Sequence, residues 1–171
     1  MGSAQAIARK RVPLGFAVAA MTLVAADPTW ESWRAGLLVA LAGEALRVWA
    51  AGHLEKSREV TRSGPYRWLG HPLYVGSSLI AIGIVIAARH VVVTAVALAY
   101  MIVTLAAAVR TEESFLRERF GETYDSYRAS RAEPMQRRFS LGRALRNREH
   151  RALSGLAAGF ALLALKILGN L

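Results

Sequence analysis

Five long apolar blocks constrain this chain more than any other feature. They run Val12 to Ala26, Trp33 to Ala51, Leu73 to Ala88, Val91 to Val109 and Leu153 to Leu168. The third and fourth carry no charge. The second carries only Arg34, Glu44 and Arg47, and the fifth only Lys166. A helix that crosses a bilayer needs roughly 20 mostly apolar residues, range about 17–25. Several of the uncharged cores fall slightly short, which flanking Trp, Tyr and Arg at the interface can make up. The sequence therefore reads as an all-α integral membrane protein of about five transmembrane helices, with residues 1–171 forming one membrane domain. The first block has the basic start of a signal peptide. It lacks a small-x-small cleavage site before Asp27-Pro28 and is read as a retained helix.

The charges set the expected topology. Arg9, Lys10 and Arg11 precede the first block, Lys56, Arg58, Arg62 and Arg67 lie in the loop from Gly52 to Pro72, and eleven Arg lie between Arg110 and Ala152. Eighteen of the 22 basic residues thus fall on one side, against Arg34 and Arg89 on the other. The positive-inside rule makes that side cytoplasmic, with the N-terminus in and the C-terminus out. This accounts for the net charge of +10 without nucleic acid, for which no helix-turn-helix, zinc finger or aromatic-basic platform is visible. The basic surface is expected to meet anionic lipid head groups. A hydrophobic content of 54% excludes disorder, and the absence of Cys excludes a disulfide framework, a thiolate metal site and a Cys nucleophile. Arg outnumbers Lys 19 to 3 and Ala is abundant, which points to a GC-rich genome and no more. The expected location is a bacterial inner (plasma) membrane, with the active site facing the cytoplasm.

Two polar segments on the cytoplasmic side are too patterned to be linkers, and any chemistry is expected there. Span four is predicted to continue as one helix through Thr111 to about Phe120, with Gly121 as its stop. A short helix over Glu122 to Arg131 follows. Ser140 to Arg151, with Leu141 and Leu145 among many Arg, reads as an interfacial helix leading into span five.

Three clusters carry candidate chemistry. Glu44 and Arg47 share one face of span two. A charge at mid-membrane costs at least about 2.5–3.5 kcal/mol. The pair therefore either lines a cavity, or is satisfied internally or by snorkelling. In the second cluster, Gly64-Pro65 marks a turn and Pro72 suits the first position of span three. His71 then stands at a helix N-terminus, where free N–H groups favour anions. Tyr66, Trp68 and Tyr74 offer flat faces for a purine, or form an aromatic belt beside a routine turn. In the third cluster, Glu112 and Glu113 leave the membrane helix after Arg110. Acids near a helix C-terminus oppose its dipole, which favours a ligand-holding role over a merely solvated end.

Gly64-Pro65-Tyr66-Arg67, His71-Pro72-Leu73-Tyr74-x-Gly76, Glu112-Glu113 and Phe120-Gly121-x-x-Tyr124-x-x-Tyr127 together resemble the isoprenylcysteine carboxyl methyltransferase and phospholipid methyltransferase families. The likeness covers roughly Gly43 to Pro134, and its specificity lies in the order and spacing of the motifs. It implies an integral membrane enzyme that uses S-adenosylmethionine, releases S-adenosylhomocysteine, and holds the cofactor at the cytoplasmic membrane face in a helical extension. No strand followed by G-x-G-x-x-G is present, in keeping with that. The resemblance assigns cofactor binding to Val60, Thr61, Tyr66, His71, Pro72, Leu73, Tyr74 and Glu112. It assigns catalytic or substrate-contacting roles to Arg110, Glu113 and Arg47, and no metal. The catalytic core is about 43–134, and 135–171 adds a basic interfacial segment and a fifth span. The family pattern has Arg before His-Pro, whereas this chain has Gly70.

The expected reaction is methyl transfer to a lipophilic, isoprenoid or lipid-like acceptor. Partners are that small molecule or lipid and the membrane. An NADPH-dependent membrane reductase on a related scaffold, or a non-catalytic membrane protein, are the alternatives. The four His form no paired box for iron chemistry.

Overall fold

The structure, a computed structural model, describes residues 3–169, with side chains from Pro13 onward. The side chains of Arg9, Lys10 and Arg11, the basic flank of the first block, lie outside the described residues. The described chain is all-helical: α1 Ser3–Ala25, α2 Trp30–Ala51, α3 Pro72–Ala88, α4 Val91–Phe120, α5 Glu122–Arg128, α6 Leu141–Arg146 and α7 Glu149–Gly169, with a 3₁₀ turn over Gly64–Arg67.

Glycines bring α2 and α3 together as an antiparallel pair. Gly36 faces Gly83 and Gly43 faces Gly76, and the two glycines in each helix are seven residues apart. A Cβ on Gly43 would lie 2.6 Å from the Gly76 carbonyl oxygen, and one on Gly76 would lie 2.7 Å from the Gly43 carbonyl oxygen. Backbone therefore touches backbone, as small residues permit at helix interfaces in lipid. Around this pair the core gathers Ala26, Ala40, Ala87, Ala88, Leu156, Phe160 and Leu163. Trp33 stacks edge-on against Phe160 at 5.7 Å, and its Nε1 donates to the Phe160 carbonyl at 2.8 Å. That bond satisfies the indole N–H within the packed interface.

The helix ends follow local chemistry. Thr29 and Ser32 form a capping box at α2, and Pro72 opens α3 as expected. The last carbonyls of α3 accept from Asp27 N–H at 2.9 Å and Ser32 Oγ at 3.2 Å. α4 runs from Val91 through Phe120, and Gly121 ends it at φ 47°. The helix expected over Glu122 to Arg131 stops at Arg128, and Ser130 turns the chain at φ 56°. The helix expected from Ser140 to Arg151 is broken instead. Asn147 leaves α6 and donates its amide to the Ala51 and Leu54 carbonyls, at 2.9 and 3.0 Å. These bonds tie the break to the end of α2.

Among the described residues two helices, α4 and α7, are long and apolar enough to cross a membrane. That is fewer than the five spans read from the sequence. Pro13–Ala25 and Pro72–Ala88 are apolar but shorter, and α2 carries Glu31, Arg34, Glu44 and Arg47. Large apolar side chains nonetheless face outward on several helices. Phe16, Val24, Leu38, Val91, Ile102 and Leu165 are all exposed. A soluble monomer rarely presents so much apolar surface. Lys166 is the one charge in the last block. It caps the end of α1, its Nζ donating to the Leu23 carbonyl at 3.2 Å and to that of Val24.

Gly43→Ala is expected to lower stability by about 1–3 kcal/mol through overpacking against Gly76. Gly155→Ala, in open space on α7, is expected to raise it by up to ~1 kcal/mol. Thermal unfolding of both variants in detergent checks the contrast.

Candidate active site

A cavity of about 690 Å³ lies where the polar segments meet the helix ends. The loop between α2 and α3 contributes Leu54, Lys56, Ser57, Glu59, Val60 and Thr61. The 3₁₀ turn and the start of α3 contribute Tyr66, Gly70, His71, Pro72, Leu73, Tyr74 and Ser77. α4 supplies an apolar wall of Ala107, Ala108, Phe115 and Leu116 together with Thr104, Thr111 and Glu112. Tyr124 and Tyr127 come from α5, Arg47 from α2, and Asn147 and Glu149 from the C-terminal segment.

Nine of the eleven residues assigned cofactor or catalytic roles from the sequence therefore share this cavity: Arg47, Val60, Thr61, Tyr66, His71, Pro72, Leu73, Tyr74 and Glu112. Glu113 stands at its edge, with Oε1 3.1 Å from His71 Nε2. Arg110 is exposed and does not line the cavity. Trp68 is outside as well. It is exposed and stands beside Trp49 at 6.1 Å, in the manner of an aromatic belt.

His71 holds the N-cap position of α3 without a side-chain capping bond. Its ring turns instead to the acids of α4, with Nδ1 3.9 Å from Glu112 and Nε2 3.1 Å from Glu113. Glu113 also pairs with Arg128 at 3.1 Å. Arg128 lies where a side chain at position 70 would project, for a Cβ on Gly70 would be 2.8 Å from Arg128 Nη1. The missing side chain at Gly70 thus admits a guanidinium from α5 to this corner. Only the fold brings residue 128 beside residue 70.

The two tyrosines of α5 behave differently. Tyr127 Oη donates to the Tyr66 carbonyl at 2.9 Å, which fixes the 3₁₀ turn. Burial and the neighbouring Tyr124 push its phenol up to about 12. Tyr124 is 1% exposed, lines the cavity, and has an Oη with no hydrogen-bond partner. A buried hydroxyl left unpaired costs about 1–3 kcal/mol, so a bound polar group is the natural partner for it. Tyr66 is buried, and burial pushes its phenol well above its ordinary value, so it stays neutral.

The C-terminal segment straps the loop that roofs the cavity. Arg137 makes a two-pronged ion pair with Glu59, Nη2 to Oε2 at 2.8 Å. Arg143 Nε donates to Glu55 at 2.8 Å, and Ser140 N–H to the Gly52 carbonyl at 3.1 Å. Part of the basic charge expected to meet lipid is therefore spent inside the protein. Phe139 packs over Gly52, where a Cβ would collide with its ring. The sequence offered no signal for these pairs, since Glu55 and Glu59 read as ordinary loop acids.

The family model for phospholipid methyltransferase matches residues 35–123, just over half of the chain. Neither the comparison with curated proteins nor that with solved structures finds a match.

His53 sits under the strap, buried, with Nδ1 3.1 Å from Ser63 Oγ. Burial, then Arg143, Arg137 and Arg67, push its pKa below the ordinary 6.5. The folded chain therefore binds this proton less readily than the unfolded chain. The stability from neutral His53 is present above pH 6.5 and is lost as pH falls below it. Unfolding temperature is expected to drop between about pH 7 and pH 5, and His53→Gln to flatten that slope.

Proposed function

The chain belongs to the phospholipid methyltransferase family, and on that premise we propose that it transfers a methyl group from S-adenosylmethionine to a lipophilic, isoprenoid or lipid-like acceptor at the cytoplasmic membrane face. The observation that carries this reading is the single cavity in which the His71–Tyr74 turn, Glu112 and the apolar wall of α4 meet. Its volume lies in the ordinary range of ligand sites, about 300–1,000 Å³. Its donor set suits the cofactor. Glu112 can hold the amino group, Tyr66 and Tyr74 offer faces for the purine, and Tyr124 Oη is a buried polar atom awaiting a partner.

Bound there, the sulfonium supplies an activated methyl group. The protein's part is placement and exclusion of water. Pro72 and the glycine contact with α2 fix the start of α3, so His71 and Tyr74 are held on a rigid element. The strap over residues 52–62 closes the polar end of the cavity. Thr104, Ala107 and Ala108 open the other end toward the apolar part of α4, where an acyl or prenyl chain can slide in sideways. Glu113, paired with His71 and Arg128, orients the His71 ring. We further propose a five-span bacterial inner-membrane topology, with α1 to α4 and α7 embedded and the N-terminus cytoplasmic. The one-sided distribution of basic residues and the outward apolar side chains support it.

Thermal unfolding in detergent tests the reading. S-adenosylhomocysteine at 100 times its dissociation constant is expected to add about 2.7 kcal/mol, and NADPH nothing. A shift with NADPH alone, or with neither, overturns the proposal. Glu112→Gln is expected to weaken S-adenosylhomocysteine binding about tenfold or more, as loss of a charge-assisted contact does, with the unliganded transition unmoved. Isothermal titration of the variant checks it.

A further inference from the structure

The inner end of the cavity is finished by residues outside the matched segment 35–123. Glu149 opens α7, is 6% exposed and lines the cavity. The residue before it, Arg148, has φ 66°. A non-glycine in this left-handed conformation costs of order 1–3 kcal/mol and persists only where its surroundings over-determine it. Here the strained turn joins α6 to α7 just where Glu149 begins.

Arg47 takes both oxygens of Glu149. Its Nε donates to Oε2 at 3.2 Å and its Nη2 to Oε1 at 2.9 Å, while Nη1 reaches Ser77 Oγ on α3. The guanidinium plane is thus fixed by groups on two other helices. Glu44 adds a second carboxylate, with Oε2 3.8 Å from Arg47 Nε and both oxygens buried without a hydrogen bond. An acid in the first turn of a helix is favoured by the dipole alone. The dipole does not require it to be buried or to reach across to another helix, so the first-turn preference leaves this geometry unexplained.

We infer that Glu149 is a positioning residue that fixes Arg47 at the inner end of the cavity and withholds its charge from an acidic acceptor head group. The inference rests on the methyltransferase reading, in which this end receives the acceptor. Arg47 alone would be a fork for a carboxylate. With Glu149 in that fork, and Glu44 behind it, the site has no unopposed positive charge from α2 to offer. The C-terminal extension thereby acts on specificity through Arg47.

Three probes of one chain length test this on the S-adenosylhomocysteine-loaded protein: oleate, oleylamine and uncharged oleyl alcohol. Relative to wild type, Glu149→Gln is expected to bind oleate about tenfold tighter, because it frees the two-pronged donor face of Arg47, which Glu44 at 3.8 Å does not fill. Oleyl alcohol affinity should stay within about twofold, as should that for S-adenosylhomocysteine. The double variant Arg47→Gln/Glu149→Gln should lose the gain. Arg47→Gln alone is the mirror test, and does not depend on Glu149→Gln folding. It leaves the carboxylate unopposed and should bind oleylamine about tenfold tighter. Glu149→Asp should keep the wild-type order of the probes. Unchanged oleate and oleylamine preferences in the single variants overturn the inference, as does a gain that survives in the double variant. A wild-type chain that does not bind S-adenosylhomocysteine overturns the underlying reading instead.

Discussion

Helices α2 and α3 meet backbone to backbone at Gly36, Gly43, Gly76 and Gly83. Everything at the site depends on this contact. With backbone against backbone at these glycines, little side-chain volume separates the two helices there. Arg47 lies one turn beyond Gly43 and is pressed against Gly76, where a Cβ would meet its Cγ at 2.5 Å. Its guanidinium is therefore delivered to Ser77 and the cavity rather than to lipid. The same register holds Pro72 and His71 at the mouth. A pair of helices separated by larger side chains would leave both groups several ångströms from their partners.

Around this rigid pair the charged residues do two different jobs. Those near the loop act as fasteners: Arg137 with Glu59 and Arg143 with Glu55 hold the roof of the cavity. The guanidinium of Arg143 holds the Glu55 carboxyl below its ordinary range. Those inside set the character of the site: Arg47 with Glu149, and His71 with Glu113 and Arg128. Exposed ion pairs add little to stability, with a median near 0–1 kcal/mol. The partly buried ones are costly to break singly, because the surviving charge is stranded. The C-terminal segment, outside residues 35–123, supplies a partner in both sets, so it helps build the cavity besides forming the apolar helix α7.

Much of the fold was legible because its causes are local. Pro72 at the head of α3 and Gly121 at the foot of α4 act through their own φ angles, and both stand where the sequence places them. The grouping of His71, Tyr74 and Glu112 in one cavity was foreshadowed by motif order, since a tight helical hairpin must bring its two flanks together. The glycine heptads of α2 and α3 were present in the sequence too, as Gly36, Gly43, Gly76 and Gly83. They can be read only once the two helices are known to be antiparallel partners. Among the described residues only α4 and α7 meet the test of length and apolarity, because α2 carries charges and the uncharged stretches of α1 and α3 are short.

By itself the sequence determined the helical class, the polar segments that line the cavity and many of the residues around it. It did so because apolar periodicity and turn residues act over a few neighbours. The tertiary structure alone decided which charges meet. Arg47 finds Glu149 at a separation of 102 residues, and Arg137 finds Glu59 at a separation of 78. Arg128 fills the space left by Gly70, while Arg110, next to the acids in sequence, lies outside the cavity. Ion pairs are set by distances of a few ångströms between side chains on different helices, and no spacing along the chain encodes those distances.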